Sequence, residues 1–115
     1  MSDTTDCIFC KIASGELGVP LVYEDEWAVA FDDISPQAPV HTLVIPREHI
    51  ANLNDEIEAE LLGHLLQAAR EVARIKGLSD SGYRIIQNNG ADAGQTVFHL
   101  HLHVLGGQKF SEGMV

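Results

Sequence analysis

Residues 95–107 carry the pattern that most restricts how this chain can fold. Within them the chain reads His-Leu-His-Leu-His-Val-Leu from His99 to Leu105, so histidine alternates with an apolar residue. A period of two is that of a β-strand, in which successive side chains point to opposite faces. The pattern therefore predicts a strand with one dry face and one wet face. The dry face is formed by Leu100, Leu102 and Val104, and the wet face by His99, His101 and His103.

Three of the six histidines thus share one face of one strand, about 6.8 Å apart at the rise of a strand. Imidazole titrates near neutral pH and is costly to bury without hydrogen bonds, so such a row indicates a functional site. Two chemistries fit it. Ligands at i and i+2 predict a metal site on His99 and His101. A nucleophile with acid–base partners predicts chemistry at a phosphorus or acyl centre.

The length and charge of the chain limit its class and its partners. We expect one domain, residues 1–115, because this length supplies a single hydrophobic core. The net charge of −10 argues against nucleic-acid polymers and anionic membranes as partners, but not against a small nucleotide. Residues 1–6 are expected to form a flexible polar tail with no secretory signal, and no apolar run approaches the roughly 20 residues of a bilayer span. We expect a cytoplasmic protein.

Cys7 and Cys10 form a Cys-x-x-Cys pair. In a reducing compartment such a pair is typical of half a metal site or of a redox pair rather than of a structural disulfide. No thioredoxin-like strand–helix pattern surrounds it, which argues against the redox role. A zinc site needs two further ligands, for which the histidines are the abundant candidates. The alternative is a pair of unliganded thiols packed as small apolar groups.

Hydrophobic patterning elsewhere predicts an α+β fold with five strands in a mostly antiparallel sheet, one short helix and one long helix. The strands are expected at residues 21–24, 27–31, 40–45, 83–88 and 99–105, and the short helix from Ile8 to near Gly15. The long helix is expected from Asp55 to Lys76, with a capping box formed by Asp55 and Glu58 and a stop at Gly77.

The long helix carries two apolar lines, of which a sheet can cover only one. The first consists of Ile57, Leu61, Leu65, Ala68 and Val72, and the second of Leu62, Leu66, Ala69 and Ala73. An apolar line left uncovered invites association, so the second line predicts a homodimer with a two-fold contact.

The loop at residues 89–94 is rich in glycine and ends at Gly94, just before Gln95 and Thr96. A glycine lets backbone N–H groups approach an anion closely. Beside three histidines, this loop is expected to cradle a phosphate.

The run from His99 to Leu105 resembles the signature of the histidine-triad (HIT) superfamily of nucleotidyl hydrolases and transferases. Its flanks are most similar to the nucleoside phosphoramidate hydrolase (Hint) branch. The resemblance covers nearly the whole chain, from Cys7-Ile8-Phe9-Cys10 through residues 33–39 and 41–46 to Gly107. It implies a HIT-like fold, a homodimer and a purine nucleotide substrate of the AMP or GMP type.

The activity implied by the resemblance is cleavage at the α-phosphorus of purine nucleoside phosphoramidates or acyl and aminoacyl nucleotides. A related branch hydrolyses dinucleoside polyphosphates, but it usually carries a proline soon after the triad, where this chain has Gly106-Gly107. A third hypothesis, from a different class, is a metal-stabilised nucleotide-binding or interaction protein whose turnover is incidental. Close relatives also carry a Trp-Pro-Pro tail that residues 108–115 lack.

The resemblance also implies roles for individual residues in the chemistry. The middle histidine, His101, would be the nucleophile and form a covalent nucleotidyl-histidine, with its tautomer held by the main-chain carbonyl of His99. His103 and His41 would donate hydrogen bonds to the phosphoryl oxygens. Asp33 would accept hydrogen bonds from the ribose hydroxyls.

Further residues would bind the substrate or a metal. Three polar residues would orient the phosphate and leaving group: Asn88, Gln95 and Thr96, the last replacing a serine of close relatives. Five apolar residues match the purine slot: Ile8, Phe9, Ile12, Phe31 and Ile34. Zinc-containing members imply a structural zinc ion on Cys7, Cys10, His49 and His99, and no cofactor is needed for the chemistry.

Overall fold

One antiparallel five-stranded sheet organises the structure, a computed structural model that describes residues 6–113. Residues 1–5, where most of the expected N-terminal tail falls, lie outside the described residues. The elements in chain order are α1 (Ile8–Ala13), β1 (Tyr23–Glu24), β2 (Ala28–Asp32), β3 (Val40–Pro46), α2 (Ala59–Ile75), β4 (Arg84–Ile86), a 3₁₀ turn (Ala91–Ala93) and β5 (Leu102–Gly106). The strands lie in the order β1-β2-β3-β5-β4, and every pair is antiparallel. The predicted α+β class is confirmed.

Both faces of the sheet are covered, because the two helices pack on opposite sides of it. The α2 side buries Ala28, Ala30, Val44, Leu102 and Val104, together with most of the apolar residues of α2. The α1 side buries Phe9, Ile12, Val29, Phe31, Leu43 and Ile45. Alternate residues of β2 and β3 thus enter opposite cores, as the two-residue period of a strand requires.

The row of histidines differs from the predicted wet face in two ways. It is not exposed, because His99 and His101 are both buried with the ring of Phe9 against them. The strand also begins later than predicted, since β5 starts at Leu102, opposite Val44 of β3. Two residues beyond Val44 lies Pro46, which has no N–H with which to extend the ladder.

The start of the long helix corrects the predicted capping box. The helix begins at Ala59, and its N-cap residue, Glu58, makes no side-chain capping bond. The carboxylate of Asp55 instead accepts a hydrogen bond from the N–H of Ala51 at 2.8 Å, which closes a turn before the helix. The side chain that was expected to cap the helix therefore serves a neighbouring loop.

The predicted second apolar line on α2 is only partly uncovered. Ala69 and Ala73 are fully buried within the chain's own core. Leu62 is half-buried, and Leu66 exposes 56% of its surface. The uncovered part of the second line is therefore its N-terminal half.

The turn that follows α2 packs closely against β5. Gly77 adopts a φ of +75°, and Leu78 N–H bonds to the Ala73 carbonyl at 2.8 Å, as in a Schellman-type end. This turn buries Leu78 against Gly106 of β5, where a β-carbon would lie 2.6 Å from a Leu78 methyl group. The first glycine after the triad is thus required by the packing of Leu78.

Within the described residues, 6–113, neither helix is long and apolar enough to cross a membrane.

Candidate active site and metal cluster

Four side chains from three parts of the chain converge on one point beneath α1. Cys7 lies at the N-cap of α1, Cys10 lies in its first turn, His49 follows β3, and His99 precedes β5. The Nδ1 atom of His99 lies 3.3 Å from Cys7 Sγ and 3.5 Å from Cys10 Sγ. The Nδ1 atom of His49 lies 3.1 Å from Cys10 Sγ. These residues are positioned to bind a metal ion.

The spacing and chemistry of this cluster fit zinc. Zn–S and Zn–N bonds of about 2.3 and 2.0 Å in a tetrahedron place sulfur and nitrogen ligands about 3.5 Å apart, close to the distances found here. His99 donates its Nε2–H to the Pro46 carbonyl at 2.9 Å, which leaves the Nδ1 lone pair facing the two thiols. Two cysteines and two histidines form a common ligand set of structural zinc sites.

The electrostatics of the cluster favour neutral groups when no cation is bound. Burial lowers the pKa of His99 to about 4, against the opposing effect of its bond to the Pro46 carbonyl. Burial and the adjacent Cys7 thiol raise the pKa of Cys10 to about 11. A cation would reverse the latter effect because the thiolate is the ligand form.

The middle histidine of the triad is held in one tautomer. His101 Nδ1 lies 2.8 Å from the main-chain carbonyl oxygen of His99. A carbonyl oxygen can only accept, so Nδ1 carries the proton and Nε2 keeps its lone pair. His101 also lines a cleft. An imidazole with its proton on Nδ1 and a free lone pair on Nε2 is the form that can attack an electrophile.

His41 and His103 form a second pair with assigned protons. The Gln37 N–H donates to His41 Nδ1 at 3.0 Å, so the His41 proton must lie on Nε2. That nitrogen lies 2.8 Å from His103 Nδ1 and donates to it. The proton of His103 is then on its own Nε2. This chain of bonds gives His103 a fixed donor, and burial lowers its pKa to about 4, so the ring is neutral at pH 7.

Asp33 stands beside this pair. Its Oδ2 atom lies 3.5 Å from His41 Nε2, and its Oδ1 atom accepts the Ser35 N–H at 2.8 Å. Asp33, His41 and His103 are close enough to be considered as metal ligands. A separation of 2.8 Å between the two ring nitrogens is that of a hydrogen bond, so we interpret the group as a hydrogen-bonded relay.

A cleft of about 500 Å³ opens beside the two histidines that face it, His101 and His103. Its walls include all five residues of the predicted purine slot: Ile8, Phe9, Ile12, Phe31 and Ile34. Asp33 and Thr96 also line it. Phe9, Ile12 and Phe31 are buried, whereas Ile34 at the rim exposes 98% of its surface. The structure therefore brings most of the predicted substrate-binding residues around one cavity.

Three predicted phosphate-binding residues are not placed in this cleft. Among residues 6–113, those that line it do not include Asn88, Gly94 or Gln95. The N–H of Gly94 bonds to the Ala91 carbonyl at 3.0 Å, inside the loop. Asn88 is half-buried on the strand side of the same loop.

Gln95 differs most from the expected role. Its amide nitrogen donates to the carbonyls of Ala51 and Val97 at 2.8 and 3.1 Å. Its amide oxygen accepts from the Asn52 side chain and the Gly90 N–H at 3.1 and 2.8 Å. Both donors and both lone pairs are thus taken by the chain itself. The buried Gln95 fixes the loop in front of the triad and has no donor left for a phosphate.

Sequence reasoning missed several supporting residues. Gln37 orients His41 through a backbone N–H, which no residue type signals. Thr42 and Lys76 hold Asp32 at 2.8 and 2.9 Å, and despite partial burial these partners lower the pKa of the Asp32 carboxyl. The adjacent acids Asp32 and Asp33 gave no signal for this bond, because carboxylates at the exposed end of a strand can be solvated by water alone.

Comparisons with known proteins agree with this geometry. Residues 15–110 match the HIT domain family model. The chain is 51% identical over 108 residues to an uncharacterised HIT-like protein of Synechocystis, covering 92% of this chain and 94% of that protein. It superposes on a HIT family hydrolase from Clostridium thermocellum with a TM-score of 0.90 and 48% identity, covering 96% of this chain and 97% of the other. A HIT family hydrolase from Legionella pneumophila gives a TM-score of 0.89 and 46% identity, covering 94% and 98%.

A five-stranded antiparallel sheet that presents an ordered row of histidines beside a cleft defines a protein of the histidine-triad class. The match over most of its length shows that this chain belongs to the HIT family. Its fold is that of the HIT family hydrolases with which it superposes.

Proposed function

We propose that this protein is a nucleotidyl hydrolase of the Hint-like branch. Its substrates are purine nucleoside phosphoramidates or acyl and aminoacyl nucleotides, cleaved at the α-phosphorus. The observation that carries the proposal is the bond from His101 Nδ1–H to the His99 carbonyl at 2.8 Å. It supports a nucleophilic role because it leaves the Nε2 lone pair of His101 free beside the cleft.

The reaction proceeds in two displacements. In the first, His101 Nε2 bonds to the α-phosphorus and the bond from phosphorus to the leaving group breaks, giving a nucleotidyl-histidine, while a leaving amine takes up a proton from solvent. In the second, water attacks the phosphorus and gives up a proton to solvent, and the bond to His101 breaks, which returns the free imidazole. The Nε2–H of His103 is aimed at the charge that grows on the phosphoryl oxygens, and one such preorganised donor is typically worth about 3 kcal/mol in the transition state.

The cleft supports a nucleoside as the bound group. Its buried aromatic and aliphatic walls suit a purine base. The Asp33 carboxylate accepts one backbone N–H through Oδ1 and keeps further lone pairs for two vicinal ribose hydroxyls. A carboxylate at this position repels phosphate, so the substrate enters with its sugar at Asp33 and its phosphorus at His101.

Zinc in this proposal is structural and closed, held by Cys7, Cys10, His49 and His99. A bound ion would supply a four-coordinate centre that ties α1 to the residues before β5. The reducing cytoplasm, where we propose the protein acts, keeps both thiols available as ligands. The ion contacts no reacting atom.

A second copy of the chain is the proposed partner of α2. Leu53, Leu62 and Leu66 border an apolar groove of about 250 Å³ that also reaches Leu102 of β5 and Leu100 just before it. Helices of a two-fold pair present the same face to each other, so the leucines of one copy can fill the groove of the other. This would place the dimer contact directly behind the histidine row.

A side-by-side substrate panel tests the function. Adenosine and guanosine phosphoramidates, an aminoacyl adenylate and a dinucleoside polyphosphate are assayed with the wild type, His101→Ala and His64→Ala. His64 lies on α2 outside both histidine clusters, so His64→Ala is the matched control. We expect phosphoramidates or adenylates to be the best substrates and only His101→Ala to lose turnover. A polyphosphate preference refutes the substrate class, and His101→Ala with more than about a tenth of wild-type kcat, a difference of about 1.4 kcal/mol, refutes the nucleophile.

A further inference from the structure

The proposed nucleophile lies just outside the hydrogen-bonded part of the sheet. Pairing between β3 and β5 runs from Val40 opposite Gly106 to Val44 opposite Leu102. His101 is the residue before this ladder begins. Strand pairing alone therefore does not fix its backbone, although an attacking atom must be held within a few tenths of an ångström.

The Leu100 N–H, in the same peptide unit as the His99 carbonyl, bonds to the Ile50 carbonyl at 2.6 Å, and His99 supplies the further contacts that the ladder does not. Its ring donates to the Pro46 carbonyl at 2.9 Å through Nε2 and faces the thiols of Cys7 and Cys10 through Nδ1. Its main-chain carbonyl accepts the Nδ1–H of His101 at 2.8 Å. The buried His99 thus has its side chain in the Cys/His cluster and its main-chain carbonyl hydrogen-bonded to the proposed nucleophile.

Apart from the bond between Leu100 and Ile50, the position of the His99 carbonyl depends on how firmly the His99 ring is held. A hydrogen bond between imidazole and thiol is weak, since sulfur is a poor donor and acceptor. A metal–nitrogen bond is directional and much stronger. Occupation of the cluster therefore changes how tightly the His99 carbonyl is placed against His101.

We propose that the Cys/His cluster is a positioning site for His101: an ion bound there orients His99, and the His99 carbonyl then keeps the proton of His101 on Nδ1. The effect of the cluster on the reaction rests on the proposed function, whereas its effect on the orientation of His101 does not. Cys7, Cys10 and His49 are positioning residues that act on the reaction through His99.

The test compares the zinc-loaded full-length protein with the same protein after chelation. Nitrogen NMR of labelled imidazoles reports which ring nitrogen of His101 carries the proton, at one fixed pH near neutral. We expect one tautomer, with the proton on Nδ1, in the loaded protein and a mixture after chelation. We also expect kcat for a phosphoramidate to fall about tenfold, the effect of losing one hydrogen bond of about 1.4 kcal/mol, with KM unchanged.

A matched pair of variants separates positioning from folding. His49→Gln removes one ligand and should reproduce both effects in a folded protein, whereas His64→Gln should leave both readouts at wild-type values. If chelation or His49→Gln unfolds the chain, cadmium is compared with zinc, because it keeps the thiolate and imidazole ligands but lengthens the bonds. The same two readouts are then expected to change between the ions.

Two results overturn the inference. One is the same single tautomer of His101 with and without zinc, or with zinc and cadmium where the metal-free protein unfolds. The other is a change in KM with kcat preserved. If no substrate is turned over by the loaded protein, the proposed function fails, and the tautomer of His101 alone decides the inference.

Discussion

Gly106→Ala should destabilise the fold by a predictable amount, because the added methyl group has no room. A β-carbon at this position would lie 2.6 and 2.8 Å from the two methyl groups of Leu78, whereas ordinary contacts begin at 3.4 Å. Leu78 is 3% exposed, so it cannot swing into solvent. Overpacking of this kind costs about 1–3 kcal/mol, and the lower chain entropy of alanine returns about 0.5–1 kcal/mol.

The net expectation is a loss of about 1–2 kcal/mol in the free energy of unfolding. Urea unfolding followed by circular dichroism, at one protein concentration and with excess zinc, should show a midpoint lower by about 0.5–1 M at an unchanged m-value. Gly63→Ala is the matched control. That glycine lies within α2 with open space around it, so alanine there should raise stability by about 0.5–1 kcal/mol.

A double-mutant cycle decides whether Leu78 is the cause. Leu78→Ala alone leaves a cavity and costs about 2–5 kcal/mol, but it also removes the atoms that the methyl group added by Gly106→Ala would strike. Gly106→Ala should therefore be neutral or stabilising in the Leu78→Ala background. An equal loss in both backgrounds would refute the steric argument and assign the effect of Gly106 to the backbone instead.

Three further changes have definite outcomes. Purified wild type should hold one zinc ion per chain by elemental analysis and Cys7→Ser should hold far less; a zinc-free wild type rules out the site. Leu66→Glu should weaken a homodimer by burying an unpaired carboxylate, while Gln67→Glu on the exposed side should not. A wild type that sediments as a 12.5 kDa monomer at micromolar concentration excludes the dimer. In the presence of chelator, the free energy of unfolding should fall as the pH drops from 6.5 towards 4. Over this range His99 and His103 become protonated in the unfolded chain, whereas their folded pKa values of about 4 keep them neutral in the folded one. A flat stability profile across that window contradicts the burial argument.

The sheet and the two helices could be predicted because their patterns are local. The apolar periodicity of α2 and the glycine at its end are visible in the residues themselves, and Gly77 ends the helix as expected. The start of α2 was predicted too early in the chain, because a carboxylate can cap a turn as well as a helix. Asp55 bonds to Ala51 across that turn, and sequence spacing does not distinguish the two uses.

The histidine row was predicted to form a wet face, but two of its members, His99 and His101, are buried. Period-two alternation shows which residues share a face, but not what covers that face. Here a helix of six residues, Ile8–Ala13, is enough to bury it, with Phe9 against both His99 and His101. A contact between residues at opposite ends of the chain has no local signature.

The loop expected to bind phosphate shows a related limit of sequence reasoning. Glycine and amide residues mark a loop that is able to bind an anion, but they bind just as readily to the loop's own backbone. Gln95 is held by Ala51 and Asn52, more than 40 residues away. Only the folded chain shows that these bonds are already made.

The stereochemistry of hydrolysis at phosphorus tests the proposed mechanism most directly. A nucleoside phosphoramidate made chiral at the α-phosphorus with sulfur is hydrolysed in water enriched in heavy oxygen, and the configuration of the product is determined by NMR. Each in-line displacement inverts the phosphorus, so the two displacements through His101 predict net retention. Net inversion would mean that water attacks the substrate directly, and it would contradict the nucleotidyl-histidine intermediate.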